Sequence, residues 1–456
     1  MRFDFSVLPI KNRAFSEKPM TFIDPSPKNF LGAIVDLVMI ETGNPTAREH
    51  WQHKQLHNLL QHAAQRSAFW RKRIGAKKIK DINLSDLPVL TRGEVVKQVA
   101  AEGCLLTTGD SIRTKNDSTS GSSGTPVHFF ISEMNTHYNV VRSAAQYFIE
   151  GRDLTRNRTQ LYYKSTTHEN GFAVVKKDNW LSDLGALIKS GKNKQIDYFN
   201  PNSALLCEEL RLDPIGYLVA GPYIVEAILQ HSGCEFFRNA GTALWIPIGY
   251  SASPQLRDMF SSIGVPVRAH YSCREMGMIG SECEEVPGHY HITTSNVIVE
   301  MKYDDNIQIG GKRLGRVLVT HLHSYATPFI RYDIGDLASM TDACSCGHAG
   351  PVLANIHGRT KQLLKHRDGR LSPFYIVGKE MSGIAEFTEY RIRQTAIDII
   401  VVEIGGRESL TPDEISAFSD LIKSHASGEF KIDVQAVSKI DWGQNIKRLG
   451  FHNEVL

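Results

Sequence analysis

From Thr107 onward, short runs of apolar and β-branched residues alternate with stretches that carry apolar positions at helical spacing. Such alternation confines the chain to a layered α/β architecture, because each strand run has an apolar face that a helix must cover. Arg316–Thr320 (RVLVT) and Ala396–Glu403 (AIDIIVVE) are the clearest strands. Leu410–His425 reads as an amphipathic helix opened by Thr411-Pro412-Asp413. Upstream, Trp51, Leu56, Leu59, Leu60 and Ala63 repeat at helical spacing within Ala47–Ile74, and Gly75 is the expected stop. Residues 1–28 have several prolines and few periodic apolar positions, and read as an irregular arm. A length of 456 residues accommodates one large core and a second, smaller unit. The Asp368-Gly369 turn follows a charged stretch and opens what reads as a small α+β unit, so the boundary is expected near Lys361. This divides the chain into a large part, 1–360, and a small part, 361–456.

Several function classes are disfavoured. The net charge of +3 offers no basis for nucleic acid or an anionic membrane as partner. The longest apolar stretch, Leu31–Ile40, contains Asp36 and is too short to span a bilayer. The N-terminus lacks the apolar run of a secretory signal, so a cytoplasmic location is expected. Seven scattered cysteines are not a disulfide framework, and only Cys344-Ser345-Cys346 is closely spaced.

Four short elements carry chemistry. Ser118–Pro126 (STSGSSGTP) packs hydroxyls and two glycines directly before the apolar run VHFFI. Glycines let backbone N–H groups turn inward and hydroxyls add donors, so the loop suits a polyphosphate; a flexible linker has the same composition. It lacks the spacing and terminal Lys-Ser/Thr of a Walker loop. His270–Gly277 (HYSCREMG) sets Tyr271 four positions before Glu275, an aromatic surface for a base and a carboxylate for magnesium. Pro328–Asp336 (PFIRYDIGD) ends in a carboxylate suited to ribose hydroxyls, or to capping a turn. Gly358-Arg359-Thr360-Lys361 stands at the expected boundary, and by itself reads equally as a solvated basic turn.

In this order and at these separations, the four elements resemble the AMP-binding, adenylate-forming superfamily, most closely its phenylacetate–CoA ligase (capsule-synthesis CapK-like) branch. The resemblance runs over most of the chain. Leu56–Arg73 looks like that branch's leading helix, and Leu87-Pro88-Val89-Leu90-Thr91-Arg92 like its "LP-x-x-[TS]-[KR]" segment. The resemblance implies a large multi-sheet domain of the acyl-CoA synthetase type with a small mobile α+β lid. It also implies a ligase that uses ATP and Mg²⁺ to convert a carboxylic acid to its acyl-AMP, releasing pyrophosphate, and then passes the acyl group to coenzyme A.

By the same resemblance, Ser120, Ser122, Ser123, Gly124 and Thr125 would embrace the ATP phosphates. Tyr271 would stack on adenine, with Gly249-Tyr250-Ser251 as the opposite wall. Glu275 would hold Mg²⁺, Asp336 the ribose, Arg359 would support it, and Lys361 would be the hinge. Two departures stand out. Thr125 occupies a position where the family usually has a lysine. The catalytic lysine near the chain's end corresponds to Lys447 in one alignment of the tail and to Asn445 in another; Lys447 is preferred for its charge. The acceptor remains open between coenzyme A, a carrier-protein thiol, an amine and a coenzyme hydroxyl. The lost loop lysine also suits a nucleotide-binding regulatory protein on a decayed ligase fold. A homodimer is left open.

Cys283, His291, Cys344 and Cys346 form a candidate tetrahedral zinc set, with His289 as the alternative imidazole. Some phenylacetate–CoA ligase-like proteins have a similar set, which implies a structural zinc. The acid's pocket is expected between Trp245 and Tyr271, where Trp245, Tyr250 and the small Ala252 would suit a flat, aromatic acid.

Overall fold

Asn44 separates the first two helices of the N-terminal region. It follows α1 (Pro27–Thr42) and caps α2 (Pro45–Arg66), its side chain accepting from Thr46 N at 2.8 Å. The apolar stretch 31–40 is thus a packed helix, burying Ala33, Ile34, Leu37 and Val38. The helix expected over 47–74 is two helices. Ser67, in an extended conformation, ends α2 and caps α3 (Ala68–Ile74), which stops at Gly75. A reciprocal capping box opens α4 (Arg92–Glu102): Thr91 N donates to Glu94 Oε2 at 2.8 Å, and Glu94 N to Thr91 Oγ1 at 3.3 Å. The computed structural model describes residues 27–102, 114–119, 126–164, 168–181, 188–199, 201–309, 312–354, 356, 363–374, 376, 378–426, 428–442 and 451–455. The expected arm lies, but for its last two residues, outside them.

Strands β1 (Thr114–Ser118) and β2 (His128–Ser132) pair antiparallel, bringing Ser118 opposite His128 and so closing the base of the Ser/Gly loop. Ser132 then caps α5 (Glu133–Ile149) through Asn135 N at 3.1 Å. A five-stranded sheet follows, built from β3 (Arg158–Tyr163), β4 (Phe172–Lys177), β5 (Asn193–Tyr198), β6 (Gly216–Ala220) and β7 (Thr242–Pro247) in the order β4-β5-β3-β6-β7. Only the edge strand β4 runs antiparallel. Helices α6 (Ser203–Arg211), α7 (Pro222–Ser232), α8 (Glu235–Asn239) and α9 (Pro254–Ser262) contribute to the core on one face, with Leu218 and Trp245. Tyr217, Leu244 and Ile246 point the other way, into the main core, as the two-residue period of a strand buried on both faces requires.

The antiparallel sheet that follows has seven strands: β8 (His270–Cys273), β9 (Gly277–Glu282), β10 (His289–Ile292), β11 (Val297–Ile309), β12 (Lys312–His321), β13 (Tyr332–Ala343) and β14 (Ala349–Ala354). Their order is β11-β12-β13-β14-β10-β9-β8, and the expected strand RVLVT lies inside β12. In a flat sheet β8 and β13 would stand roughly 19 Å apart. A direct side-chain bond between them, described below, means that the sheet curls on itself.

Leu363 begins the C-terminal elements: β15 (Leu363–Lys365), β16 (Leu371–Pro373), α10 (Gly378–Ser382), β17 (Glu389–Ala396), β18 (Ile399–Gly405), α11 (Pro412–Ala426), β19 (Lys431–Val437) and β20 (Phe451–Asn453). Strands β19-β18-β17-β20 form a sheet with its own core, in which Ile392, Val402, Phe418 and Phe451 are buried. The segment expected as one strand, Ala396–Glu403, is a hairpin: Ala396 ends β17, residues 397 and 398 turn, and Ile399 starts β18. The turn residues Ile397 and Asp398 are half-buried and Ile400–Val402 beyond them are buried, so the run of apolar residues in the sequence hides the turn. Leu363 and Leu371 pack against Leu314 and Leu337, while Leu364 joins the C-terminal core.

Candidate active site

Asp336 is aimed by an irregularity in its strand. Between Leu318↔Asp333 and Arg316↔Leu337 the β12–β13 register shifts, so Ile334, Gly335 and Asp336 bulge out of the ladder. Gly335 adopts φ +87, and its N–H donates to Asp333 Oδ1 at 3.0 Å. Asp333 is paired with Arg316. Asp336 instead accepts from Tyr271 Oη at 2.7 Å, which brings together two elements that the sequence singled out separately. Burial, reinforced by the Asp336 carboxylate, pushes the Tyr271 phenol well above its ordinary range, so it stays a donor.

Tyr271 lies on strand β8 and Glu275 in the turn before β9, so their spacing is that of a strand and a turn. Tyr332 Oη donates to Glu275 Oε1 at 3.4 Å. Cys273 lies between the two carboxylates; burial, then the neighbouring Glu275, raises its thiol pKa, and it remains protonated. The β8 strand is anchored by a buried charge cluster. Glu150 Oε1 accepts from Ser281 Oγ at 2.6 Å and meets His270 Nε2 at 3.1 Å, while Arg152 pairs with its other oxygen. Burial alone would raise the Glu150 pKa, but Arg152 and His270 hold it well below the usual carboxylate range.

The base of the Ser/Gly loop is attached to this assembly. Thr119 N donates to Val127 O at 3.0 Å, and Val127 N to Thr119 Oγ1 at 3.0 Å. Arg92, at the start of α4, donates to Thr119 Oγ1 at 3.1 Å, and Arg274 Nη1 meets Asp117 Oδ2 at 3.4 Å. The Leu87–Arg92 segment docks on β13: Leu90 N donates to Arg331 O at 3.0 Å, and Asp333 N to Leu90 O at 2.9 Å. Arg331 takes φ 52, the one described non-glycine residue with positive φ. The bonds of its guanidinium to Leu87 O, Ser85 O and Glu300 offset that strain. Ser120, Ser122, Ser123, Gly124, Thr125, Arg359, Lys361, Asn445 and Lys447 lie outside the described residues.

Gly249-Tyr250-Ser251 follows the carboxyl end of β7, where open α/β sheets bind ligands. Trp245 bridges in parallel to Val267, and four residues on from that bridge stand Gly249 on one segment and Tyr271 on the other. Trp245 itself does not line a pocket. It is fully buried, packs at a tilt against Phe260 with ring centroids 4.5 Å apart, and donates from Nε1 to Ala220 O at 3.0 Å. Ala252 is buried in the same core, and Tyr250 is exposed. Of the two aromatic residues behind the expectation of a flat acid, Trp245 is therefore part of the core and Tyr250 is on the surface.

Cys283, His291, Cys344 and Cys346 converge, their ligand atoms all within 4.8 Å of one another. Zinc–sulfur bonds of about 2.3 Å and zinc–nitrogen bonds of about 2.0–2.1 Å make tetrahedral edges of about 3.8 Å and about 3.6 Å. The observed Cys283–Cys344 Sγ separation is 3.8 Å and the Cys346 Sγ–His291 Nε2 separation 3.5 Å, so the donor set fits such an ion. His289 Nδ1 lies 3.7 Å from Cys344 Sγ but outside the four-atom group. Sequence reasoning missed Tyr332 and Cys273, although both sit inside motifs it quoted. Their signal was adjacency to Asp333 and Glu275.

No protein-family model and no curated protein matches the chain. Among solved structures it is similar to 2-hydroxyisobutyryl-CoA ligase in the postadenylation state in complex with 2-HIB-AMP, with 18% identity and a TM-score of 0.65, over 91% of this chain and 92% of that one. It is also similar to the same ligase in complex with 2-HIB-AMP and CoA in the thioesterification state, with 19% identity and a TM-score of 0.59, over 91% and 92%. The chain thus has the mixed α/β, multi-sheet fold of the adenylate-forming, acyl-CoA synthetase-like type. No helix among the described residues is long and apolar enough to cross a membrane.

Proposed function

We propose that the protein is an AMP-forming acid–thiol ligase. The acid's carboxylate attacks the α-phosphorus of ATP and pyrophosphate leaves; the thiol sulfur of coenzyme A then attacks the acyl carbon and AMP leaves. The observation that carries the reading is the convergence of Tyr271, Glu275 and Asp336 beside the base of the Ser/Gly loop. Asp336 binds the ribose hydroxyls, Tyr271 orients Asp336 and offers its ring to the base, and Tyr332 orients Glu275. Glu275 would hold Mg²⁺, which supplies charge neutralisation for the departing pyrophosphate. Holding the two anions in line supplies much of the remaining acceleration.

The finer assignments come from sequence order. Ser120–Thr125 cradle the phosphates, Gly249–Ser251 face the base, Arg359 supports the ribose, and Lys447 bridges carboxylate and phosphate. Lys361 is the hinge between 1–360 and a lid at 361–456. Cys283, His291, Cys344 and Cys346 would hold a structural zinc, which would tie the β9–β10 hairpin to the β13–β14 turn. The phenylacetate–CoA ligase-like branch and coenzyme A as acceptor belong to the same proposal.

The test is pyrophosphate release with Mg-ATP across a panel of carboxylic acids, with and without coenzyme A. Acid-dependent release that Glu275→Gln removes supports adenylation, and a thioester product supports the acceptor. ATP binding without release under any acid would favour a regulatory protein on this fold.

A further inference from the structure

Glu275 stands in a short turn. Cys273 pairs with Gly277 across the β8–β9 hairpin, leaving Arg274, Glu275 and Met276 as the loop between them. Gly277 takes φ +65, the left-handed conformation that closes a hairpin loop of this length. Met276 is fully buried, so one end of the loop is drawn into the core, while the Glu275 carboxylate stays beside Tyr332. Three loop residues offer few backbone bonds of their own, so the direction of Glu275 depends on what lies behind the turn.

Asn296 lies there. Its Nδ2 donates to Met276 O at 2.9 Å and to Met278 O at 2.7 Å, the two carbonyls that flank Gly277. Both are acceptors only, so the nitrogen of the amide and not its oxygen must face them. Asn296 is itself held on every side. It is 0% exposed, its N–H donates to Thr293 O at 3.0 Å, and its carbonyl accepts from Leu322 N at 3.0 Å. Glu41 on α1 grips the two residues before it, accepting from Thr294 N at 3.2 Å and Ser295 N at 2.7 Å. The His321 ring lies against the Glu275 backbone, and a Cβ on Gly277 would be 3.3 Å from Arg142 Nη2 and 4.0 Å from Asn296 Nδ2, so the turn rests directly on these supports. Asn296 Oδ1 is buried without a partner among the described residues. An amide there is unfavourable as mere filling; the two donors it brings to one turn offset that cost.

We propose that Asn296 is a positioning residue for magnesium: by holding both carbonyls around Gly277 it fixes the backbone from which Glu275 presents its carboxylate. This deepens the reading above and rests on it for the metal role of Glu275. Asn296 touches neither metal nor substrate and acts through the turn alone. A metal ligand needs supports that fix its orientation, and losing one typically costs roughly 10–100-fold in metal affinity. The Tyr271–Asp336 pair is held by other contacts, so the nucleotide's own affinity does not depend on Asn296. Tyr332 steadies the carboxylate and Asn296 the backbone beneath it, from opposite ends of the same residue.

The experiment measures ATP affinity by calorimetry, without Mg²⁺ and over a Mg²⁺ series, beside the Mg²⁺ dependence of pyrophosphate release with a panel of carboxylic acids. Wild type is set beside Asn296→Ala and the milder Asn296→Ser, which keeps one donor on a shorter side chain. Thr159→Val is the control, since it removes a buried bond, Thr159 Oγ1 to Ile215 O at 3.1 Å, in the five-stranded sheet. Asn296→Ala is expected to raise the half-saturating Mg²⁺ concentration about 10-fold in both readouts and to leave ATP affinity without Mg²⁺ unchanged. Asn296→Ser should show a smaller rise, and it carries the test should the alanine variant not fold. Thr159→Val should lower the Tm and keep the wild-type Mg²⁺ requirement. A wild-type Mg²⁺ requirement in the Asn296 variants, whatever their Tm, would make Asn296 merely structural. An equal loss of ATP affinity with and without Mg²⁺ would overturn the proposal as well. If no acid gives pyrophosphate, adenylation fails as the activity. Calorimetry then decides alone: a Mg²⁺-linked loss upholds the positioning role, and its absence, or wild-type ATP binding that ignores Mg²⁺, overturns it.

Discussion

Tyr271 Oη donates a 2.7 Å hydrogen bond to Asp336 Oδ2, joining residues 65 positions apart on strands separated by three others in the sheet. A hydrogen bond to a charged acceptor contributes about 1.5–3 kcal/mol. Asp336→Asn is expected to weaken ATP binding about 100-fold, and Tyr271→Phe about 10-fold because the ring survives and only the carboxylate's orientation is lost. Titration calorimetry with ATP reads both. Unchanged affinity in both variants would remove this pair from the nucleotide site.

Glu275→Gln keeps the side-chain shape and the Tyr332 contact but loses the charge. Pyrophosphate release should fall by a factor of about 10² to 10³, with a higher Mg²⁺ requirement. Tyr332→Phe should raise the Mg²⁺ requirement more mildly. A Mg²⁺ dependence identical to wild type in both would contradict the metal role.

One zinc per chain is expected by elemental analysis of protein prepared without chelator. Its removal, or Cys344→Ser, should lower the Tm, because the ion joins strands remote in sequence. His291→Asn should lose the metal and His289→Asn should retain it, in keeping with His289 lying outside the four-atom group. Loss with His289→Asn alone would reverse that choice.

Burial, then the charges of His323 and Arg142, holds His321 down to about 3; burial, helped by Arg142, holds His323 down to about 4. Both lie below the ordinary imidazole value of about 6.5, so the unfolded chain takes up these protons first. Their contribution is complete above about pH 6.5 and falls as pH drops towards the folded values, by about 1.4 kcal/mol per pH unit for each ring. Urea unfolding at pH 7, 6 and 5 should show the decline, and His323→Asn should make it shallower by about one proton. A flat profile over that range would mean that both rings take up protons as readily in the fold as in the unfolded chain.

Much of the chain was legible as sequence. Helix starts followed from local chemistry, as the capping boxes Thr91–Glu94 and Thr411–Glu414 show, each closed by reciprocal bonds within one turn. The four cysteine and histidine positions were legible too, because metal-ligand chemistry belongs to residue type and spacing. Motif order likewise named Tyr271, Glu275 and Asp336, and the structure joins Tyr271 directly to Asp336 and puts Glu275 in the next turn.

What the tertiary structure decided depends on distances that no local window contains. The bulge that aims Asp336 arises from a register mismatch with β12, and its meeting with Tyr271 from the curl of a seven-stranded sheet. Trp245 looked like a pocket wall because an aromatic side chain serves a site and a core equally well; packing against Phe260 decided for the core. Arg142 drew no notice in sequence, since a lone arginine on a helix is ordinarily solvated. Only the fold shows it buried beside Gly277, with Nη2 on Asn139 Oδ1 and its charge facing Glu41. Residue type and short-range spacing determine backbone period and chemical capacity, whereas burial and long-range contact determine which capacity is left unsatisfied.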